Sequence, residues 1–438
     1  MNRQHTSNTP NGRDVEGFQG VQRLRRAQRI PKAREVPPSP ALGDRDHGLA
    51  RYVLAAALAR TADGGAVVAV VLLVTSSGGS GTLAGTLGAC ITAPHLLGPF
   101  VARPLDLARD GRKVLAAACL LYATALTAGV LTYEHAPTLV TGVLLAAAGT
   151  CGPLLTGGIS SRLPAIVGPR LRTQRRAQGW DVATYGIGGT VGPSLVAALS
   201  AWVSPTAASL ALAMGTLAAA GAVLLLPFAE PAHGGDRTAI LKPGATLALI
   251  ARTGQLRRTV YLTMIVSLSV AALPITAVHM TRILGVEPAT AAVLTAAYGL
   301  GNLTGSTAVM VFPLTGAPDR LMRRLALGVV LGLLAVTASP SFAISVAAYA
   351  LTGILNSFFF ASTLAARTEY APSTARGQVF IWVAALKITA GSAGTAVAGS
   401  LTGVTVRLPL VVGLLAVSAA VTAATLETRC ARSREQRA

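Results

Sequence analysis

Three ionisable residues stand inside long apolar stretches of this 438-residue chain. Asp63 follows Arg60 by three residues in one stretch, and Lys387 lies in the middle of another. A charge inside a membrane-spanning helix costs about 3 kcal/mol by insertion scales, so it needs a function or a partner. Residues three apart lie on the same side of a helix, so an ion pair between Arg60 and Asp63 is geometrically available.

These side chains can bind protons or anions. We predict that Asp63 binds and releases a proton and that Arg60 tunes how readily it does so; the alternative is a static structural pair. Lys387 is a candidate for contacting an anionic group or for charge coupling, and the alternative is pairing with a polar helix face.

Other side chains in apolar stretches are weaker candidates. His95 is a possible proton relay, although a packing histidine is the favoured interpretation. Three polar residues are candidates for lining a cavity: Tyr185, Asn302 and Asn356. For Phe358, Phe359 and Phe360, lipid contact or helix packing is favoured.

The composition places these residues in a membrane protein. Apolar residues make up 52% of the chain and charged residues only 12%, whereas an average soluble domain has about 25% charged residues. Such a chain has too few charges to cover a soluble surface, which argues against a soluble enzyme and against disorder over most of its length. The net charge of +20 indicates either nucleic acid or an anionic surface as a partner.

Apolar runs of membrane-spanning length recur along the whole chain. We predict an all-α membrane protein with twelve transmembrane helices. They lie at 52–74, 82–102, 114–133, 137–160, 179–202, 206–228, 260–281, 288–312, 322–339, 341–364, 378–402 and 408–427.

The positions of the basic residues predict the orientation. Most of the 37 Lys and Arg residues fall in the two tails and in every second connection. Lys and Arg stay on the cytoplasmic side of membrane proteins, so both termini are predicted to be cytoplasmic. The positive charge is then an orientation signal, and we expect no nucleic-acid partner.

The chain divides into two similar halves. We predict a disordered basic tail at 1–48, a six-helix bundle at 49–228, a cytoplasmic linker at 229–258, a second bundle at 259–428 and a tail at 429–438. The sequence Arg176-Ala177-Gln178 opens the fifth span and Arg376-Gly377-Gln378 opens the eleventh. Duplicated six-helix halves place a binding site between them near the bilayer midplane.

Two loops carry a family resemblance. The loop after the second span and its copy after the eighth resemble the signature G-x-x-x-D-R-x-G-R-K/R of the major facilitator superfamily, a family of transporters. Either Asp106 or Asp110 takes the place of the acid. The residues concerned are Asp106, Arg109, Asp110, Arg112 and Lys113, and in the copy Asp319, Arg320, Arg323 and Arg324. The resemblance implies that their ion pairs gate the movement of the two halves.

The fifth span adds to the resemblance. Gly188, Gly192 and Pro193 resemble the G-x-x-x-G-P signature associated with antiporters of the superfamily, and glycines four apart allow another helix to approach closely. The first span resembles bacterial exporters of the superfamily through Arg60-Thr61-Ala62-Asp63-Gly64. No Arg occurs in 137–160, where drug–proton antiporters of the superfamily have one.

The resemblance implies proton-coupled export of a small organic molecule across the plasma (inner) membrane of a bacterium. An uptake symporter of the same fold is the alternative, and a transport-inactive sensor a further one. The sequence contains no phosphate-binding loop, no HExxH and no Cys/His ligand spacing. We therefore expect no enzyme activity, no metal and no cofactor, and a monomer with protons, substrate and lipid as its partners.

Overall fold

The computed structural model describes residues 42–228, 241–287 and 290–435. Eleven helices in these ranges are long and apolar enough to cross a membrane, and Ala291–Val311 supplies a twelfth in the same succession. In chain order they are α1 (His47–Ser76), α2 (Gly81–Leu107), α3 (Gly111–Thr132), α4 (Thr138–Val167), α5 (Leu171–Trp202), α6 (Pro205–Leu224), α7 (Gly254–Ile283), α8 (Ala291–Val311), α9 (Pro318–Ala338), α10 (Phe342–Tyr370), α11 (Ser373–Thr402) and α12 (Leu408–Ala431).

The predicted twelve-helix, all-α architecture is confirmed, and the differences lie at the helix ends. Helix α5 begins at Leu171, eight residues before the predicted span, and α10 continues to Tyr370. The backbone of a polar residue forms the same helical hydrogen bonds as the backbone of an apolar residue. The helices therefore extend beyond the apolar runs from which they were predicted.

Proline interrupts several helices where the site is built. A 3₁₀ turn, Ala93–Leu97, breaks α2 at Pro94, and a π-helical turn, Leu154–Gly158, follows Pro153 in α4. Proline lacks the backbone N–H that closes a regular turn, so the chain adopts a tighter or wider turn there. Helix α5 continues through Pro193 without a break.

Each half has its own buried apolar core. One core is formed almost entirely by α1–α6, with Tyr122 and Leu126 at its centre. The other is formed by α7–α12, with Met280 and Leu333 among its fully buried residues. A small third cluster joins the halves; it consists of Val182, Val309, Phe360, Ala361, Leu364 and Phe380.

The linker and tails differ in part from the predicted boundaries. Residues 1–41 and 229–240 lie outside the described residues. The prediction of a disordered N-terminal tail falls almost entirely on the first of these ranges. The predicted linker contains a helix, Pro243–Arg252, whose Pro243 carbonyl accepts a hydrogen bond from Trp382 Nε1 at 3.1 Å. The predicted C-terminal tail continues α12 as helix to Glu435.

The alternating helices give the bundle two ends. We call the end where α1 begins and α12 ends the terminus end, and the other the far end. Arg60, Asp63, Tyr185 and Lys387 each lie roughly halfway along their helices, by position within α1, α5 and α11. The centre of the bundle therefore holds the ionisable residues that the sequence singled out.

Candidate functional site

A buried ion pair joins α1 to α5 at the centre of the first half. Arg60 Nη1 lies 2.7 Å from Asp181 Oδ1, and only 2% of Arg60 and 1% of Asp181 is exposed. Removing one partner of such a pair leaves an uncompensated charge in an apolar interior. The two residues therefore depend on each other in this conformation.

Other polar groups of the first half complete the coordination of this pair. Tyr52 donates its hydroxyl to Asp181 Oδ1 at 2.6 Å. Ser160 accepts from Arg60 Nη2 at 2.8 Å and donates to Asp181 Oδ2 at 2.9 Å. Arg60 also contacts the Thr184 hydroxyl. Both carboxylate oxygens of Asp181 thus accept hydrogen bonds, one of them from a charged guanidinium.

The predicted pair between Arg60 and Asp63 is wrong. Arg60 points at Asp181 on α5, and Asp63 instead lies beside His95, with 3.6 Å between Asp63 Oδ1 and His95 Nε2. His95 is 2% exposed, and its Nδ1 lies 3.0 Å from the Ile91 carbonyl. Asp63 on α1 and His95 on α2 are therefore adjacent ionisable groups within the first half.

Glycines bring α1 and α5 close enough for the ion pair. A side chain at Gly188 would collide with the Arg60 backbone, and one at Gly192 with the Thr61 carbonyl. A side chain at Gly64 would in turn collide with the Gly188 carbonyl. The antiporter-like motif, which ends at Pro193, is therefore the surface on which α5 packs against α1.

Two further cations face this pair from the second half. Lys387 Nζ lies 4.2 Å from the ring centroid of Phe360 and 5.2 Å from that of Tyr185. Arg367 Cζ lies 5.8 Å from the Phe360 centroid, and Arg60 Cζ lies 3.6 Å from the Tyr185 centroid. The three cations alternate with two aromatic rings, which attract them through their faces.

The sequence interpretation missed Asp181 and Arg367. Asp181 stood near the start of a predicted span, and Arg367 was counted among the basic connections. Arg367 is fully buried and donates one hydrogen bond among the described residues, from Nη2 to Thr363 Oγ1 at 3.3 Å. A helical side chain points toward the N-terminus of its helix. Because α10 runs toward the terminus end, Arg367 points back to the centre, which the sequence could have indicated.

A cavity of about 310 Å³ lies beside these rings, between α5 and helices of the second half. The three predicted cavity residues Tyr185, Asn302 and Asn356 line it together with Phe360. Asn356 Nδ2 donates to Asn302 Oδ1 at 3.1 Å. Packing against lipid or other helices was favoured for the Phe run, but Phe360 forms part of the cavity wall.

The ion pairs of the two signature loops lie within their own halves. Asp110 pairs with Arg112 at 2.9 Å, and this guanidinium lowers the pKa of the Asp110 carboxyl. In the copy, Asp319 pairs with Arg258 at 2.7 Å and with Arg323 at 3.5 Å. The remaining basic residues of the loops are exposed: Arg109, Lys113, Arg320 and Arg324. None of these pairs crosses between the halves among the described residues.

Different residues join the halves at the terminus end. Arg175 on α5 pairs with Glu369 on α10, with 3.3 Å between Nη2 and Oε2. Asp106 lies so close to the start of α11 that a side chain at Gly377 would collide with its carboxylate. Asp106, rather than Asp110, is thus the acid of the first loop that contacts the other half.

We expect Glu369→Gln to loosen this end of the molecule. The pair is half-exposed on the Glu369 side, and such pairs contribute about 0.2–1 kcal/mol. We therefore expect a shift of roughly 1.4- to fivefold toward the opened terminus end. The measurement is the maleimide labelling rate of Thr368→Cys in a cysteine-free background. Glu134→Gln, at an exposed acid of the far end, is the control. Equal labelling rates in the two variants would show that the pair does not restrain the halves.

No group of three or more potential metal ligands occurs among residues 42–228, 241–287 and 290–435. Cys90, Cys119, Cys151 and Cys430 are all free thiols.

Sequence comparison finds a limited relationship. No protein family model matches the chain. A protein described as an uncharacterised MFS-type transporter, from Sinorhizobium fredii, is 29% identical over 209 residues. The match covers 44% of this chain, which spans about half (48%) the length of that relative.

Comparison with solved structures covers almost the whole chain. The human organic anion transporter MFSD10 is 15% identical with a TM-score of 0.69, covering 89% of this chain and all of that one. A bacterial homologue of the iron transporter ferroportin, in an outward-facing state, gives 14% identity and 0.66, covering 87% and 99%. The E. coli fucose:proton symporter is 15% identical with a TM-score of 0.64, and the match covers 88% of this chain and 99% of that one.

Proposed function

Because this chain has the fold of the major facilitator superfamily, we propose that it is a secondary active transporter. Its two six-helix halves rock about a central site and expose it to one side of the membrane at a time. The observation that carries the proposal is the charge cluster of Arg60, Asp181, Arg367 and Lys387 between apolar helices where the halves meet. The first three are buried and Lys387 is partly exposed. Charges so placed need a role that offsets their cost.

The conformation supports alternating access. Arg175–Glu369 and the Asp106–Gly377 contact hold the halves together at the terminus end. The cavity extends from Tyr185 and Phe360 toward the far end, as its lining residues Thr190 and Thr295 indicate. A transporter closed at one end and hollow toward the other occupies one of the two states that the cycle requires.

Metabolite profiling tests the proposal. Cells with and without the protein are compared for small molecules inside and outside, and a compound whose distribution changes is then followed in proteoliposomes containing the purified chain. Counterflow of that compound is the expected result. A protein that redistributes no compound in cells and shows no counterflow contradicts a transport function.

We assign proton coupling to Asp63 and His95. The two groups lie 3.6 Å apart in the first half, with His95 buried and Asp63 partly buried, whereas the Asp181 carboxylate accepts hydrogen bonds from several donors. His95 is the group beside Asp63 that can give or receive a proton. Arg60 acts in this scheme through Asp181 and the packing of α1 on α5.

We expect Asp63→Asn to separate transport from proton movement. Asparagine keeps the size of the side chain but cannot take up a proton, so counterflow persists while proton-linked accumulation falls at least about tenfold. The measurement is luminal pH during substrate movement in proteoliposomes. Glu134→Gln, the same carboxylate-to-amide change at an exposed position, is expected to behave as the wild type. Substrate-linked proton flux surviving in Asp63→Asn would rule out this residue as the coupling site.

Export from a bacterial cytoplasm is the direction we propose, supported by the resemblance of Gly188, Gly192 and Pro193 to the antiporter motif. Uptake by symport is the alternative, since two structural neighbours are proton symporters for fucose and xylose. The direction of transport in inverted and right-side-out vesicles distinguishes the two. The basic connections support cytoplasmic termini in a multi-pass plasma-membrane protein, and we expect it to be a monomer.

A further inference from the structure

At the centre of the bundle, three basic side chains (Arg60, Arg367 and Lys387) outnumber two acidic ones (Asp181 and Asp63), and Asp63 lies beside His95. Arg60 and Asp181 neutralise each other at 2.7 Å. Lys387 and Arg367 form no ion pair among the described residues. Within the described ranges, two cations therefore lack a carboxylate partner at the depth where an uncompensated charge costs most.

Aromatic rings compensate these cations only in part. Lys387 lies between Tyr185 and Phe360, and Phe360 lies between Lys387 and Arg367. The two rings contact each other edge to face, with 4.8 Å between centroids. A ring face attracts a cation but carries no net charge, so the excess positive charge of the site persists.

Lys387 lies next to the cavity without being one of its lining residues. Its side chain is partly exposed, and both rings beside its ammonium line the cavity. Arg367, by contrast, is fully buried behind Phe360. The cavity volume of about 310 Å³ is at the lower limit of those that hold small organic ligands. Its remaining wall is largely apolar, with Leu273 and Pro274 among the residues.

We propose that the site takes a small organic anion, whose acidic group binds the Lys387 ammonium and whose apolar body lies along Tyr185 and Phe360. The inference rests on the proposed transport function and adds the substrate class to it. An anionic group supplies the charge that the protein lacks, and it accepts charge-assisted hydrogen bonds from the ammonium. A neutral or cationic molecule of the same shape would leave that charge uncompensated or increase it.

Matched ligands of different charge test the proposal. The purified full-length chain is titrated with three sets that share a body: indoleacetate, indoleacetamide and tryptamine; phenylbutyrate with its amide and amine; and octanoate with its amide and amine. Binding is read as thermal stabilisation in detergent. We expect carboxylates to stabilise the protein and their amides and amines to fail at the same concentrations.

Three lysine variants show whether the stabilisation by carboxylates depends on Lys387. Lys387→Met keeps the length and apolar character of the side chain and is expected to weaken carboxylate binding by about tenfold to a hundredfold. Lys387→Arg retains the charge and is expected to retain binding. Lys242→Met makes the same change at an exposed lysine away from the cavity and is expected to bind as the wild type.

Three results would overturn the proposal: no stabilisation by any carboxylate, equal or stronger stabilisation by amides or amines, and unchanged carboxylate affinity in Lys387→Met. Binding is measured without a membrane or a gradient, so any of these leaves the transport function standing. A carboxylate that binds but is never carried in counterflow contradicts transport alone.

Discussion

Asp181→Leu is expected to abolish transport and to lower the free energy of unfolding by about 3–5 kcal/mol, the usual cost of breaking a buried ion pair by removing one partner. Arg60 would keep its charge at 2% exposure while losing the one carboxylate that it contacts in the described part of the chain. Tyr52 and Ser160 would lose the acceptor that they share. Arg60→Met is expected to cost a similar amount, because it leaves Asp181 charged and buried.

The double variant gives the decisive comparison. Arg60→Met with Asp181→Leu removes both charges, and replacing a whole buried pair by apolar side chains is often neutral or stabilising. We therefore expect its stability to return to within about 1 kcal/mol of the wild type, without recovery of counterflow. The free energies of unfolding of the wild type, the two single variants and the double variant, measured in detergent, form a double-mutant cycle. Glu134→Leu, at an exposed acid, is the control. Additive losses in the double variant would show that the two residues are not coupled.

Gly188→Ala is expected to have the second largest effect, with a loss of stability of about 1–3 kcal/mol and loss of transport. The added methyl group would overlap the backbone of Arg60, and backbone atoms cannot turn aside as a flexible side chain can. Helices α1 and α5 would have to separate, which would pull Arg60 away from Asp181.

Gly215 serves as a matched control that shows whether crowding at Gly188 causes the expected loss of stability. No atom lies within 4 Å of the position that a methyl group at Gly215 would occupy. Gly215→Ala in α6 should therefore gain about 0.5–1 kcal/mol from the lower backbone entropy of alanine in the unfolded chain. Thermal unfolding and counterflow of both variants provide the measurement. A loss of equal size at the two glycines would contradict the proposed role of close packing between α1 and α5.

The fold was largely predictable from the sequence because the bilayer constrains it. A backbone in lipid must satisfy its own hydrogen bonds, so a long apolar run becomes a helix. The helix from Pro243 to Arg252 was not predicted, since it is too short to register as a span. Its position depends on Trp382, which lies far away in the sequence.

The site was less predictable because its contacts join different helices. Spacing within one helix suggested that Arg60 would pair with Asp63, but spacing says nothing about α5, whose Asp181 is 121 residues away. Tyr185, Asn302 and Asn356 could be singled out as polar side chains in apolar runs, and all three line the cavity. Arg367 was missed because its backbone lies near a helix end while its guanidinium lies deeper.

The widened turn in α4 determines which way the end of that helix faces. One extra residue in a helix of 3.6 residues per turn rotates everything beyond it by about 100°. The turn at Leu154–Gly158 thereby orients Ser160 toward Asp181 and places the Thr156 carbonyl 3.2 Å from Arg60 Nη2. It also places Gly157 against the Phe380 carbonyl of α11. Deleting one residue from this turn would change the rotational phase of the helix end and would remove Ser160 and Gly157 from these contacts together.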